Sequence, residues 1–283
     1  MLSTPARPGV RTAANVVVSV ALAAVGIRTA PELLVGLAVA AALGMSCEVL
    51  APLHEGARSR RAYAVDLTHA LADRSMIVPL VAVALGVVGP AVEAAVPGSA
   101  RDALAALPWL ALVGVTLVVT DFTNYLAHRA LHRVQFLWAF HAVHHSSERL
   151  DWLATSRAHP IDLAVNIVAV TLPTYALGQV ELAPWLVTFF FVHPFVMHAN
   201  ARLRMRSVGA VLVTPAFHHW HHAAAGEAHD RNFGTFLSLW DHLFGTALDH
   251  DEFPEEYGIG TRDLEATDYL GHLALPFRTA RLG

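Results

Sequence analysis

Residues 121–132 read DFTNYLAHRALH and directly follow the apolar run Ala103–Thr120. Asp121, Tyr125, His128 and His132 are spaced by four, three and four, so a helix places them on one face. An uncharged run ending in an ionisable face reads as a membrane span leaving the bilayer. Such a face is costly unless it is paired or serves a site. Asp121 and Tyr125 sit one to two turns before the histidine pair. They are expected to accept imidazole N–H bonds and fix the orientation of the rings.

Two further clusters extend the pattern. FHAVHHSS at residues 140–147 carries His141, His144 and His145, and TPAFHHWHH at residues 214–222 carries His218, His221 and His222. Thr214 can cap a helix and Pro215 suits its first position, so a helix is expected to begin just before His218. Positions three and four apart share a helix face, so each cluster is expected to aim its imidazoles at one point. His219 points elsewhere on that helix, toward solvent or behind the site. Eight imidazoles converging on one volume suit a pair of borderline transition-metal ions better than one tetrahedral ion.

The rest of the chain agrees with a membrane setting. Of 283 residues, 55% are hydrophobic and only 15% charged, and the mean hydropathy is +0.46. Uncharged stretches recur at Thr12–Ile27, Leu33–Cys47, Ser75–Val92, Leu163–Val180 and Leu182–Ala201. Several approach the ~20 residues that cross a bilayer. Buried core helices of a soluble protein are the weaker reading. Arg58, Arg60 and Arg61, then Arg129 and Arg133, then Arg202, Arg204 and Arg206 flank alternate spans. The positive-inside rule puts these groups, and with them all three histidine clusters, on the cytoplasmic side. Three hairpins follow, one turning near Pro97–Ser99 and one near Gly178. The N-terminus reads as a first span or signal anchor rather than a cleaved peptide. A single cysteine, Cys47, excludes an internal disulfide framework. A net charge of −4 gives no case for nucleic-acid binding. All 19 basic residues are arginine, a bias that hints at a bacterial source. From Ala223 onward eleven acidic residues and four arginines mark a polar cytosolic cap.

The motifs together resemble the membrane-bound fatty acid hydroxylase, or sterol desaturase, superfamily. The resemblance rests on D-x3-Y-x2-H-R-x2-H at Asp121–His132, F-H-A-V-H-H-S-S at Phe140–Ser147 and T-P-x-x-H-x-x-H-H at Thr214–His222. D-x-N-F-G at Asp230–Gly234 and W-D-x-L-F-G-T at Trp240–Thr246 extend it, so that it covers roughly residues 105–260. Arg157–Pro160 and His198–Asn200 look like further elements of the family.

The resemblance implies an all-α, polytopic membrane helical bundle with a cytosolic histidine-rich di-iron cap. It implies two iron ions held by His128, His132, His141, His144, His145, His218, His221 and His222. His198 stands near a further position used by some members and joins the set. Whether His193 and His159 are ligands stays open; His159, before Pro160, reads as structural. Asp230, Asn232 and Asp241 look like cap residues. The implied activity is hydroxylation or desaturation of a C–H bond in a sterol, fatty acyl chain, sphingolipid or isoprenoid, with O2 as co-substrate. Trp185, Phe189, Phe190, Phe191 and Phe195 are candidates for the wall that holds the lipid. The chain contains no His-Pro-Gly-Gly haem-binding element. Electrons are therefore expected from a separate donor, a ferredoxin or a cytochrome b5-type protein with its reductase. One domain is expected, with spans in 1–104, a catalytic region in 105–260 and a C-terminal tail in 261–283. The setting is multi-pass, in a bacterial inner membrane, with the site on the cytoplasmic side. Two other readings stand beside it: a membrane metal-handling protein, or an inactive scaffold of the same fold. A transport path would place polar ligands mid-span, whereas the three clusters sit at span ends.

Overall fold

A computed structural model describes residues 19–24, 26–28, 31–55, 59–203, 205, 208–250, 252–260 and 267–279. Much of the first apolar run, together with Arg58, Arg204 and Arg206, lies outside the described residues. Among the described residues the chain is all-α and forms no strand, only isolated β-bridges such as Pro52 with Ala201 and Leu212 with Leu237.

Among the described residues four helices are long and apolar enough to cross a membrane, and the chain is an integral membrane protein. Helix α1 is Pro31–Leu50. Helix α2 runs unbroken through Arg60–Ala95, 36 residues, with a π-helical turn at Asp73–Ile77. The short α3, Gly98–Ala105, occupies the turn expected near Pro97. Helix α4 is Trp109–Arg133, α5 is Gln135–His141 and α6 is Pro160–Ala176. Helix α7, Ala183–Met197, follows a turn in which Gly178 adopts a φ of +67°. Three shorter helices complete the chain: α8 Pro215–His221, α9 Leu239–Phe244 and α10 Tyr269–Thr279.

The apolar stretch Ser75–Val92 is thus part of a longer element. At about 1.5 Å per residue α2 spans about 54 Å, against a hydrocarbon core of about 30 Å. Its N-terminal half leaves the apolar zone and brings Asp66 and His69, both fully buried, to the end of the bundle where the histidines gather. Helix α6 packs on α2 and α4, and α7 packs on α1. Gly89 lets α2 approach α6: a Cβ there would lie 2.3 Å from the Tyr175 ring. Val170, Leu182, Leu186 and Phe190 form one apolar core between the spans. Trp152, Leu153 and Phe195 form another beneath the histidine end.

Candidate metal centre

Five segments converge on the site. His128 and His132 lie on the last turns of α4, and His141 ends α5. His144 and His145 stand in a single 3-10 turn, His144–Ser146. His198 caps the C-terminus of α7. His218 and His221 lie on α8, whose N-cap Thr214 accepts the Phe217 N–H as expected, and His222 caps its end.

The nine histidines sort into two groups. His128, His132, His141, His145 and His221 bring their ligand nitrogens within 4.8 Å of one another, and so do His144, His198, His218 and His222. The groups abut: the His145 and His222 rings stack with centroids 4.3 Å apart. The expectation that each sequence cluster aims at one point is corrected here. Helix α5 ends at His141 and the backbone turns through Ala142 and Val143 before the 3-10 turn, so His141 and His145 face one group and His144 the other. Likewise His221 serves the first group while His218 and His222 serve the second.

Hydrogen bonds fix the protonation of five rings. A carbonyl oxygen only accepts, so the nitrogen against it must carry the hydrogen. His128 Nδ1 donates to the Phe233 carbonyl at 2.8 Å and His144 Nδ1 to that of Arg157 at 3.1 Å. His198 Nδ1 donates to Pro194 and His221 Nδ1 to Arg231, each at 2.8 Å. His141 Nδ1 donates to the Asp162 carboxylate at 3.0 Å, and Asn166 Nδ2 holds the other carboxylate oxygen at 2.9 Å. Burial, then the neighbouring histidines, push His145, His218, His221 and His222 well below the usual imidazole range. His144 is lowered to about 4 for the same two reasons. These rings are therefore neutral near pH 7, the form that binds metal.

That protonation leaves lone pairs facing each other. His128 Nε2 lies 3.2 Å from His141 Nε2, and His144 Nε2 lies 3.3 Å from His198 Nε2. With both Nδ1 atoms protonated, neither contact is a hydrogen bond. Buried His132 Nε2 and His221 Nε2 have no partner at all. Metal–imidazole bonds of ~2.0–2.1 Å place two neighbouring donors on one ion roughly 2.9–3.4 Å apart. The donor set fits a metal ion in each group.

The supporting shell differs from expectation. Asp121 and Tyr125 touch no imidazole. The Asp121 carboxylate accepts the backbone N–H of Phe236 and of Leu237, each at 3.1 Å, and the Trp240 indole N–H at 2.8 Å. Tyr125 meets Thr246 and Arg129. Both therefore fasten residues 233–246 onto α4. Asp241 accepts the N–H groups of Phe233 and Gly234, and a Cβ at Gly234 would lie 2.6 Å from the Leu237 carbonyl. Asp230 and Asn232 take left-handed backbone, φ 60° and 57°, the region that Asn and Asp enter most readily. This bend delivers the Arg231 and Phe233 carbonyls to His221 and His128.

Sequence reasoning missed Asp162, which alone among the described carboxylates hydrogen-bonds one of the nine rings. Its only signal was an acidic residue in the first turn of a helix that starts at Pro160. Arg157 was singled out without a role. Its buried guanidinium bonds Asp66 of α2 at 2.7 Å and fixes the loop whose carbonyl holds His144. His159 is structural: its Nδ1 accepts the Ile161 N–H and caps α6. His193 joins neither group and packs against Phe189 and Phe236. His219 does not face solvent; it is fully buried between Tyr257 and the Ala199 carbonyl.

A cavity of 160 Å³ opens on both groups through His128, His141, His144, His198 and His218, and runs back to Ile167 and Val170. Phe190, Phe191 and Phe195 line it. Trp185 and Phe189 do not; Trp185 points outward, 76% exposed.

Fold and donor set define an all-α membrane protein with paired histidine groups suited to metal. Residues 113–246 match the fatty acid hydroxylase family, and this match with the relatives below supports the fatty acid hydroxylase and sterol desaturase superfamily. It is 34% identical over 162 residues to ornithine lipid hydroxylase OlsE of Rhizobium tropici, covering 57% of this chain and 49% of that protein. It is 34% identical over 154 residues to alkylglycerol monooxygenase of Caenorhabditis elegans, covering 52% and 29%. The Delta(7)-sterol 5(6)-desaturase of Candida glabrata is 30% identical over 132 residues, covering 45% and 33%. The chain thus spans less than half the length of these three relatives. No solved structure matches it.

Proposed function

We propose that this chain is an O2-dependent oxidoreductase that hydroxylates or desaturates a C–H bond of a membrane lipid at a di-iron centre. His128, His132, His141, His145 and His221 would hold one iron, and His144, His198, His218 and His222 the other. The observation that supports this most is the facing lone pairs, His128 with His141 and His144 with His198, one pair in each group. When bound, two ferrous ions supply the reductive activation of O2 that an unactivated C–H bond requires.

The chain's residues supply the rest. Asp162 accepts the His141 Nδ1–H and so fixes the orientation and tautomer of that ring. The carbonyls of Phe233, Arg231, Arg157 and Pro194 set four more rings and keep each Nε2 free of its proton. Burial keeps water from the centre. Ile167, Val170, Phe190 and Phe191 give the lipid an apolar wall, and Asn124 and Thr235 add polar contacts beside it. The names of the relatives, a lipid hydroxylase, an alkylglycerol monooxygenase and a sterol desaturase, support a lipid substrate.

In this reading residues 105–260 form the catalytic region on spans from 1–104, with 261–283 as a tail. The centre faces the cytoplasm of a bacterial inner membrane and receives electrons from a ferredoxin or a cytochrome b5-type donor with its reductase. The test is to supply iron-loaded protein with reduced ferredoxin, O2 and a total lipid extract. A lipid that gains one oxygen atom or loses two hydrogens is the expected product. Protein with a full iron complement that leaves every lipid unchanged, with each donor class tried, would count against the reading.

A further inference from the structure

The π-helical turn of α2 carries an acid and a base that the metal centre does not use. Asp73 and Arg74 are both buried, 3% and 2% exposed, and both line the cavity that the histidines line. They stand directly before the apolar stretch Ser75–Val92 in one continuous helix, and a buried ionisable side chain is costly unless it is matched. π-turns are themselves frequent at functional sites.

Their pairing is incomplete. The closest approach of the Arg74 guanidinium to the Asp73 carboxylate is 3.8 Å, beyond hydrogen-bond range. Arg74 Nη1 donates to the Ala70 carbonyl at 3.2 Å, and the guanidinium lies over the Phe191 ring at 3.9 Å. Those contacts hold the side chain in place, yet Arg74 Nε is buried with no partner. A buried charged donor left unmatched costs more than a neutral one.

We infer that Asp73 and Arg74 form a head-group subsite for a zwitterionic lipid, the guanidinium binding its anionic oxygens and the carboxylate its ammonium. This rests on the lipid-oxidising reading and narrows its substrate. The charge argument selects the zwitterion. Asp73 and Arg74 present one anionic and one cationic group to the cavity, so a head carrying both signs meets both. An anionic lipid would engage Arg74 alone and leave the Asp73 carboxylate without a cationic partner from the ligand. Guanidinium matches carboxylate and phosphate alike, so either could supply the anion. One consequence concerns position. A head held at Arg74 shares a cavity of only 160 Å³ with five of the histidines, so the oxidised carbon lies in the head or the first few bonds of the chain, not at the chain end.

The test compares four single-chain lipids of equal length on iron-loaded, detergent-purified protein, by equilibrium titration. An N-acyl lysine carries carboxylate and ammonium, a lysophosphatidylethanolamine carries phosphate and ammonium, palmitate carries an anion alone, and hexadecanol carries neither. At least one zwitterion should bind about tenfold or more tighter than palmitate and hexadecanol, the size of one charged hydrogen bond. The tighter of the two zwitterions identifies the anion. The charge-neutral double variant Asp73→Asn/Arg74→Gln should lose that preference while keeping its iron and its hexadecanol affinity. Equal binding of all four lipids, or palmitate binding as tightly as the better zwitterion, would overturn the subsite. The ranking is read on the unaltered protein, so it stands even where the variant fails to fold. Loss of the parent reading looks different: the ranking would persist in a protein that takes up no iron or oxidises no lipid.

Discussion

The nine clustered histidines and three buried ones outside them, His69, His159 and His219, differ in where the second ring nitrogen goes. His219 spends both nitrogens on the protein, Nδ1 with Tyr257 at 2.8 Å and Nε2 with the Ala199 carbonyl at 3.1 Å. His159 does the same with the Ile161 N–H and the Leu273 carbonyl, and His69 meets His272 at 3.0 Å. In five of the inner nine, His128, His141, His144, His198 and His221, Nδ1 is spent on a carbonyl or on Asp162, and Nε2 is left facing another Nε2 or without a partner. His218 and His219 are neighbours in sequence and fall on opposite sides of this line. Neither burial nor helical spacing separates the two sets; an Nε2 left unspent by the protein does, and that is the nitrogen a metal would take.

The comparison can be broken most sharply at the inner set. His221→Ala and His144→Ala, one in each group, should each abolish lipid oxidation, lower bound iron and leave membrane insertion intact. Full activity in either would contradict the ligand set. Next in size is the carboxylate behind it. Asp162→Asn keeps the shape but weakens the acceptor at His141, and iron affinity should fall by roughly 10–100-fold in a chelator competition. Arg157→Met probes support rather than binding. It leaves the Asp66 carboxylate buried without its guanidinium, so unfolding in detergent should show a loss of about 3–5 kcal/mol.

The outer set should behave in the opposite way. His219→Phe should keep the full iron complement and lose about 1–3 kcal/mol, because the Tyr257 hydroxyl and Ala199 carbonyl lose a partner. The smallest effect belongs to His242 at the surface. Burial opposes its protonation, but the Ser238 carbonyl and Asp249 raise it above the ordinary imidazole range. A raised folded value stabilises below pH ~6.5 and is lost as pH rises through the folded value. His242→Gln should therefore cost ~0.5 kcal/mol or less, detectable only at acid pH.

The polytopic helical fold was legible because apolar runs near bilayer length leave few other folds open. The residues that gather were legible because three histidine clusters at helical spacing have few structural uses. Their partition was not. It depends on where α5 stops, and no strong helix breaker stands at Ala142 or Val143 to announce the turn. The role of Asp121 was misread because spacing along α4 suggested a partner on α4, whereas its partners come from a loop more than a hundred residues later. Asp162 was hidden for the same reason, its contact with His141 being tertiary. Asp73 and Arg74 stand just before the apolar run Ser75–Val92 and belong to no motif. Only the tertiary packing shows that they are buried and line the cavity.

The central claim is that the two histidine groups hold two irons side by side. The most direct measurement is metal analysis with Mössbauer spectroscopy on protein purified from cells grown on iron-57. About two irons per chain with the signature of a coupled pair is the expected result. Stoichiometric zinc with no iron, from cells given ample iron, would contradict it.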